Sequence, residues 1–209
     1  MAGETSAPVV TGIVLAGGAG RRMGGVDKAA LVVGGHTLLD RVLGAAGSVC
    51  ARPVVVGPVR DTAADGVRFT VEAHPGGGPV PAVAAGLAQA PEEEVPEAQV
   101  VVVLAVDFAL LRSSDVRRLV AALDGPGLEA AAAADHRGRP NPLLAAYRAD
   151  SLRHRVASLG PGVGAPASVL LPEETAVVEL GPVATLNVNS PTDLDRAAAL
   201  VAAEGRRLG

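Results

Sequence analysis

Between Ile13 and Leu31 the chain reads IVLAGGAGRRMGGVDKAAL. Glycines crowd around Arg21, Arg22, Asp27 and Lys28, directly after an apolar run. Glycine lets a backbone take positive φ and approach a ligand closely. Successive N–H groups in such a segment form an anion-binding nest. Arginine grips phosphate as a planar fork, and lysine serves as a mobile point charge. The chemistry these residues suit is the binding of a phosphorylated ligand. Two common phosphate loops are excluded. Gly20 and Gly25 have Walker spacing, but Val26 stands where lysine is required. The dinucleotide fingerprint fails because Met23 replaces its third glycine.

The elements that must carry this segment follow from the pattern of apolar runs. Val9–Ala16, Pro53–Gly57, Phe69–Glu72 and Gln99–Val106 are strand candidates, as are Glu129–Asp135 and Leu143–Arg148. Continuous rather than alternating apolar runs indicate strands covered on both faces. The alanine run 129–135 is ambiguous, since alanine is a poor strand former. Helix starts lie between the runs. Thr37 and Asp40 have capping-box spacing, and Ser113 or Ser114 can cap a segment through Leu123. Pro81 suits the first turn of a helix to Ala90. Ser190-Pro-Thr-Asp193 opens a last helix that Gly205 could end. The expected fold is α/β, a single domain over residues 1–209. Its sheet is mostly parallel and twisted, with helices on both faces and residues 1–8 flexible. In such sheets ligands bind beyond the carboxyl ends of the strands, where the glycine segment leaves the first one. Pro91–Ala98 reads as a solvated acidic turn, and Gly160–Pro166 as a flexible connection.

Totals narrow the function classes. Hydrophobic residues make up 49% and charged residues 19%, a globular composition. The formal charge is −4 with no basic block, which argues against a nucleic-acid partner. No run reaches the ~18 apolar residues of a membrane span, and the start MAGETSAPVV lacks the features of a signal peptide. Cys50 has no partner for an internal disulfide, so a cytoplasmic location and a small buried thiol are expected. His36, His74, His136 and His154 lack metal-ligand spacing and read as surface residues.

The segment LAGGAGRRMGGVDKAAL resembles the signature loop of nucleotidyltransferases of the molybdenum cofactor guanylyltransferase type. The resemblance continues in the family's order through VEAHPGGGPVPAVAAGL (71–87), VVVLAVDFALL (101–111), RPNPLLAAYR (139–148) and TLNVNSPTDL (185–194). It implies a Rossmann-like nucleotidyltransferase fold. It also implies transfer of GMP from GTP to the terminal phosphate of molybdenum–molybdopterin, with release of pyrophosphate. Magnesium is the implied cofactor and Asp107 its ligand; a helix cap or a solvated strand end is the lesser alternative for a carboxylate there. Lys28 and Arg22 are implied as phosphate cations; Arg21 could be a surface charge. Leu15, Ala16, Gly17, Gly18 and Gly20 are implied as backbone contacts to the nucleotide. Glu72 is the candidate reader of guanine, because one carboxylate accepts from both N1–H and the N2 amine; pairing with a surface arginine is the alternative. Gly78 is a candidate ribose neighbour, or part of an ordinary turn. Asp27 is expected to order the loop rather than touch substrate. Asn187 and Asn189 are implied on the acceptor side, with Asn141 as a weaker candidate; the first two could instead be strand-end residues. The chain departs from the family at Ala109, where a proline is usual, so a looser turn after Asp107 is expected. The implied partners are GTP, a molybdopterin-type acceptor and proteins that deliver it. The alternatives are a molybdopterin cytidylyltransferase or other NTP transferase of the same fold, and a non-catalytic GTP-binding module. Related cytidylyltransferases more often carry LAAG where this chain has LAGG.

Overall fold

The computed structural model describes residues 9–18, 25–90 and 99–208. The expectations for residues 1–8, Gly20, Arg21, Arg22 and the acidic turn 91–98 fall outside these residues. The strands in chain order are β1 (Val10–Leu15), β2 (Val32–Val33), β3 (His36–Thr37), β4 (Ala51–Val56), β5 (Arg68–Thr70), β6 (Val100–Ala105), β7 (Ala130–Ala134), β8 (Pro140–Arg148) and β9 (Thr175–Val178). The helices are α1 (Leu38–Gly47), α2 (Pro79–Leu87), α3 (Ser113–Ala121), α4 (Ala149–Ser158) and α5 (Pro191–Leu208).

One seven-stranded sheet has the order β5-β4-β1-β6-β8-β7-β9. β8 alone runs against its neighbours, pairing antiparallel with β6 and β7, while the other pairs are parallel. Residues of β1 and β6 alternate between two cores. Val10, Val14, Val100, Val102 and Leu104 face α1, α3 and α5. Ile13, Leu15, Val101 and Val103 face α2 and α4. That two-sided cover explains why these strands read as unbroken apolar runs. Val101, Val102 and Val103 have no exposed surface, and each stabilises the fold by ~1.5–3 kcal/mol relative to an exposed side chain.

Tertiary pairing decides the alanine run. β7 lies between β8 and β9 with Ala130–Ala133 fully buried, so ladder hydrogen bonds and close packing override alanine's low strand propensity. Two features were not expected. β9 covers the edge of β7, and β2 and β3 form a hairpin through Gly34 (φ 60°) and Gly35 (φ 82°). Positive φ at both central residues is the demand of a type I′ turn, and the Gly-Gly dipeptide is its sequence signal.

Helix boundaries differ from the sequence expectation in instructive ways. α2 begins at Pro79, ahead of Pro81, because Gly78 at φ 102° swings the chain into the helix. Thr37 caps α1 through its Oγ1, accepting from the Asp40 N–H at 3.0 Å. The Asp40 carboxylate accepts from the hydroxyls of Thr37 and Thr62 and from the Ala63 N–H, instead of closing a box onto the Thr37 backbone. Arg112 occupies the N-cap position of α3, ahead of both serines, and its N–H donates to Asp115. α5 runs through Gly205 to Leu208. The segment 160–166 is docked, since the Gly164 N–H donates to the Gly77 carbonyl at 2.7 Å. Cys50 is buried, and burial pushes its thiol up to about 12. All four histidines are exposed. Among the described residues no helix is long and apolar enough to cross a membrane.

Candidate active site

From β1 the chain crosses through α1 to β4 on one side, and later returns through α2 to β6 on the other. The carboxyl ends of β1 and β6 therefore flank the point where strand order reverses, the place where open α/β sheets form a crevice. A cleft of ≈ 590 Å³ opens there. It is lined by Leu15, Ala16, Gly17 and Gly18 from the exit of β1, and by Ala105, Val106 and Asp107 from the exit of β6. Lys28, Glu72, Gly76, Gly78 and Asn189 complete its polar and glycine lining. One cleft brings these side chains and backbone segments together.

Lys28 is the centre of the polar cluster. It sits in a single 3₁₀ turn, Lys28–Ala30, that Asp27 caps by accepting the Ala29 N–H at 3.1 Å. Its Nζ donates to Asn189 Oδ1 at 2.5 Å and lies 3.6 Å from Asp107 Oδ2. Asn189 Nδ2 in turn donates to Asn187 Oδ1 at 2.6 Å. The Val188 N–H donates to the Asp107 carbonyl at 3.0 Å, so the late segment 187–189 is laced to the turn after β6. Burial pushes the Asp107 carboxyl up, and the Lys28 ammonium opposes that shift. Asp107 Oδ1 is buried with no hydrogen-bond partner. A desolvated carboxylate oxygen without a donor is costly on its own and suits a hard cation. Magnesium is usually bound by one or two carboxylates plus phosphate oxygens and water. Among the described residues no group of three or more His, Cys, Asp or Glu is placed to hold a metal ion.

The turn after Asp107, where a looser course was expected, is anchored by a guanidinium. Arg41 on α1 donates from Nε to the Ala109 carbonyl at 2.7 Å and from Nη1 to the Val33 carbonyl at 3.1 Å. Ala109 itself is buried. A guanidinium supplies the restraint that a ring would have given, and nothing in residue spacing announces it.

Glu72 faces the cleft beside Gly17; a Cβ on Gly17 would lie 3.7 Å from Glu72 Oε2. Its Oε1 accepts the Gly76 N–H at 3.1 Å, which folds the loop onto the carboxylate. Among the described residues the ion pairs do not include Glu72. Asn141 lies elsewhere. It accepts the Leu143 N–H at 3.0 Å and lines a second cavity of ≈ 770 Å³ with Asn187, Asn189, His136 and Arg196. Asn189 borders both cavities.

A family model described as the MobA-like NTP transferase domain matches residues 12–170. The chain belongs to the MobA-like NTP transferase family. It is a nucleotidyltransferase by that membership. A molybdenum cofactor guanylyltransferase of Acidiphilium cryptum is 32% identical over 204 residues, covering 90% of this chain and 93% of that protein. The protein of the same name from Cereibacter sphaeroides is 34% identical, covering 91% and 96%. Among solved structures, molybdopterin-guanine dinucleotide biosynthesis protein A of Archaeoglobus fulgidus superposes with TM-score 0.70 at 21% identity, covering 92% of this chain and 98% of that one. The 2-C-methyl-D-erythritol 4-phosphate cytidylyltransferase of Thermus thermophilus superposes at 0.67 with 23% identity, covering 93% and 99%. MobA-like NTP transferases thus share their fold with an enzyme named for a different base, and the fold does not choose the nucleotide.

Proposed function

We propose that the protein is a molybdenum cofactor guanylyltransferase: it transfers GMP from GTP to the terminal phosphate of molybdenum–molybdopterin and releases pyrophosphate. The chain acts as one nucleotidyltransferase unit over residues 1–209, in the cytoplasm. The observation that carries this reading is the Lys28 ammonium held between Asp107 and Asn189 on the wall of the cleft. It is supported by full-length similarity to proteins bearing that name.

Two anions must meet in this reaction, so alignment and charge neutralisation dominate, and no covalent protein nucleophile is needed. The backbone of Leu15–Gly18, with Gly20 beyond it, follows the nucleotide. Glu72 accepts from the guanine edge with the oxygen that Gly76 does not occupy, and Gly78 borders the ribose. Lys28 and Arg22 neutralise the phosphates, Arg22 on the pyrophosphate side. Asp107 would hold magnesium, and the ion when bound would supply positive charge at the triphosphate. Asn189 and Asn187 orient the acceptor phosphate, and the second cavity, with Asn141 on its wall, seats the remainder of the acceptor. Shared lining by Asn189 supports that placement, because donor and acceptor must meet at one wall. Another protein delivers the acceptor, and no nucleic acid is involved.

The test is pyrophosphate release from GTP by the purified protein with magnesium and freshly loaded molybdopterin. Release that requires all three supports the reading, and no release with active acceptor overturns it. Thermal-shift titration against GTP and CTP separates the bases: a larger shift with CTP assigns the protein to the cytidylyltransferases.

A further inference from the structure

Arg60, in the connection after β4, was not among the residues singled out by spacing. Its guanidinium faces Asp27 fork to fork, with Nε donating to Oδ2 at 2.7 Å and Nη2 to Oδ1 at 2.9 Å. Nη2 also lies 3.4 Å from the Ala16 carbonyl oxygen, and Nη1 donates to the Pro58 carbonyl at 2.8 Å. The Arg60 side chain is only 15% exposed, whereas that of Asp27 is 46% exposed. An exposed ion pair contributes little by itself. Here, however, one largely buried guanidinium joins three separate pieces of chain: the exit of β1 at Ala16, the far end of the glycine-rich segment at Asp27, and the β4 exit at Pro58. Asp27 also caps the turn that carries Lys28. The guanidinium beside it holds Asp27 below the usual carboxylate range, which keeps the pair charged at neutral pH.

We propose that Arg60 is a positioning residue for the cleft: it pins together the two ends of the glycine-rich segment and so sets Lys28 opposite the Ala16–Gly18 backbone before any ligand arrives. This rests on the reading of the cleft as the nucleotide site. The benefit is preorganisation. A glycine-rich segment loses much conformational freedom when it orders, and a cross-link at its base removes part of that loss from the binding step. Lysine cannot replace the fork, because its three donors radiate from one nitrogen and lack the planar spread that reaches the carboxylate and both carbonyls at once.

The test compares Arg60→Ala and Arg60→Lys with the unsubstituted protein, in magnesium, by calorimetric binding of GTP and of guanosine. The expected result is GTP binding weakened about tenfold in both variants, while guanosine binding changes much less, since Lys28 meets only the phosphates. Hydrogen exchange at the Ala29 and Leu31 amides should quicken in both. Asp27→Asn keeps an oxygen for the Ala29 N–H but loses the charged fork; combined with Arg60→Ala it should cost no more than either change alone. If Arg60→Lys binds GTP as the unsubstituted protein does, the proposal fails while the nucleotide reading stands. Equal weakening of GTP and guanosine, with a lowered melting temperature, also overturns it, because that is the mark of a purely structural residue. If the unsubstituted protein binds neither ligand, both the proposal and the reading of the cleft fall. Should Arg60→Ala fail to fold, Arg60→Lys and Asp27→Asn decide.

Discussion

Asp107 and Lys28 are useful to each other only because the cleft strips water from both. A carboxylate held 3.6 Å from an ammonium at this depth costs desolvation energy that the pair only partly offsets. That expense on the wall of a cleft is characteristic of sites that bind charge rather than of devices for stability. Asp107→Asn removes the carboxylate charge but keeps the shape. Turnover should fall by at least about 100-fold, magnesium should no longer stimulate it, and GTP binding should survive in part. Steady-state pyrophosphate release and calorimetry check this; retained turnover that magnesium still stimulates would contradict the proposed role. Arg41 and Arg60 act at the same scale. Each uses a planar fork to hold backbone carbonyls of separate chain segments.

At the scale of elements, the start of α5 ties the late asparagines to the fold. The Asp193 Oδ2 accepts from Ser190 Oγ at 2.7 Å and from the Asn189 N–H at 3.0 Å, while Ser190 Oγ accepts the Asp193 N–H at 3.2 Å. The Ser190 hydroxyl holds the Asp193 carboxyl below its ordinary value. Asp193→Ala should cost about 1 kcal/mol of stability, the usual worth of a helix cap, and should lower turnover further by freeing Asn189 beside Lys28. A carboxylate depressed in the folded state stabilises above its unfolded pKa of about 3.9 and loses that contribution as pH falls through the lower folded value. The stability gap between Asp193→Ala and the unsubstituted protein should therefore be full at about pH 6 and close on acidification below about pH 4. Chemical denaturation at a series of pH values measures it.

Across the whole molecule, the cleft depends on how closely α2 lies on the sheet. Gly86 faces Ile13 of β1 so tightly that an added Cβ would come within 2.6 Å of the Ile13 Cγ2. Ile13 is fully buried and cannot turn away. Gly86→Ala should gain helix propensity yet destabilise the fold by about 1–3 kcal/mol through overpacking. It should also weaken GTP binding, since lifting α2 shifts Gly78 and the Glu72 loop at its amino end. A urea midpoint shift together with a nucleotide titration tests both parts; a more stable variant would show that the packing is looser than described.

Much of this architecture could be read along the chain. Apolar runs marked β1, β4 and β6, because strands covered on both faces leave no polar alternation. Glycine and charge spacing located Lys28, and the run ending at Asp107 placed a carboxylate at a sheet edge. Those signals are local, set by backbone freedom, side-chain charge and periodicity. Other features have no local cause. β9 forms because β7 needs an edge partner. The alanine run becomes a strand because its neighbours supply the ladder. Arg60, Arg41 and Asp193 gain their tasks only when distant carbonyls and carboxylates arrive beside them. Sequence by itself determined which residues could bind a triphosphate; tertiary structure decided which of them meet, because a strand crossover brings residues 16, 107 and 189 to one wall and no spacing rule encodes that distance.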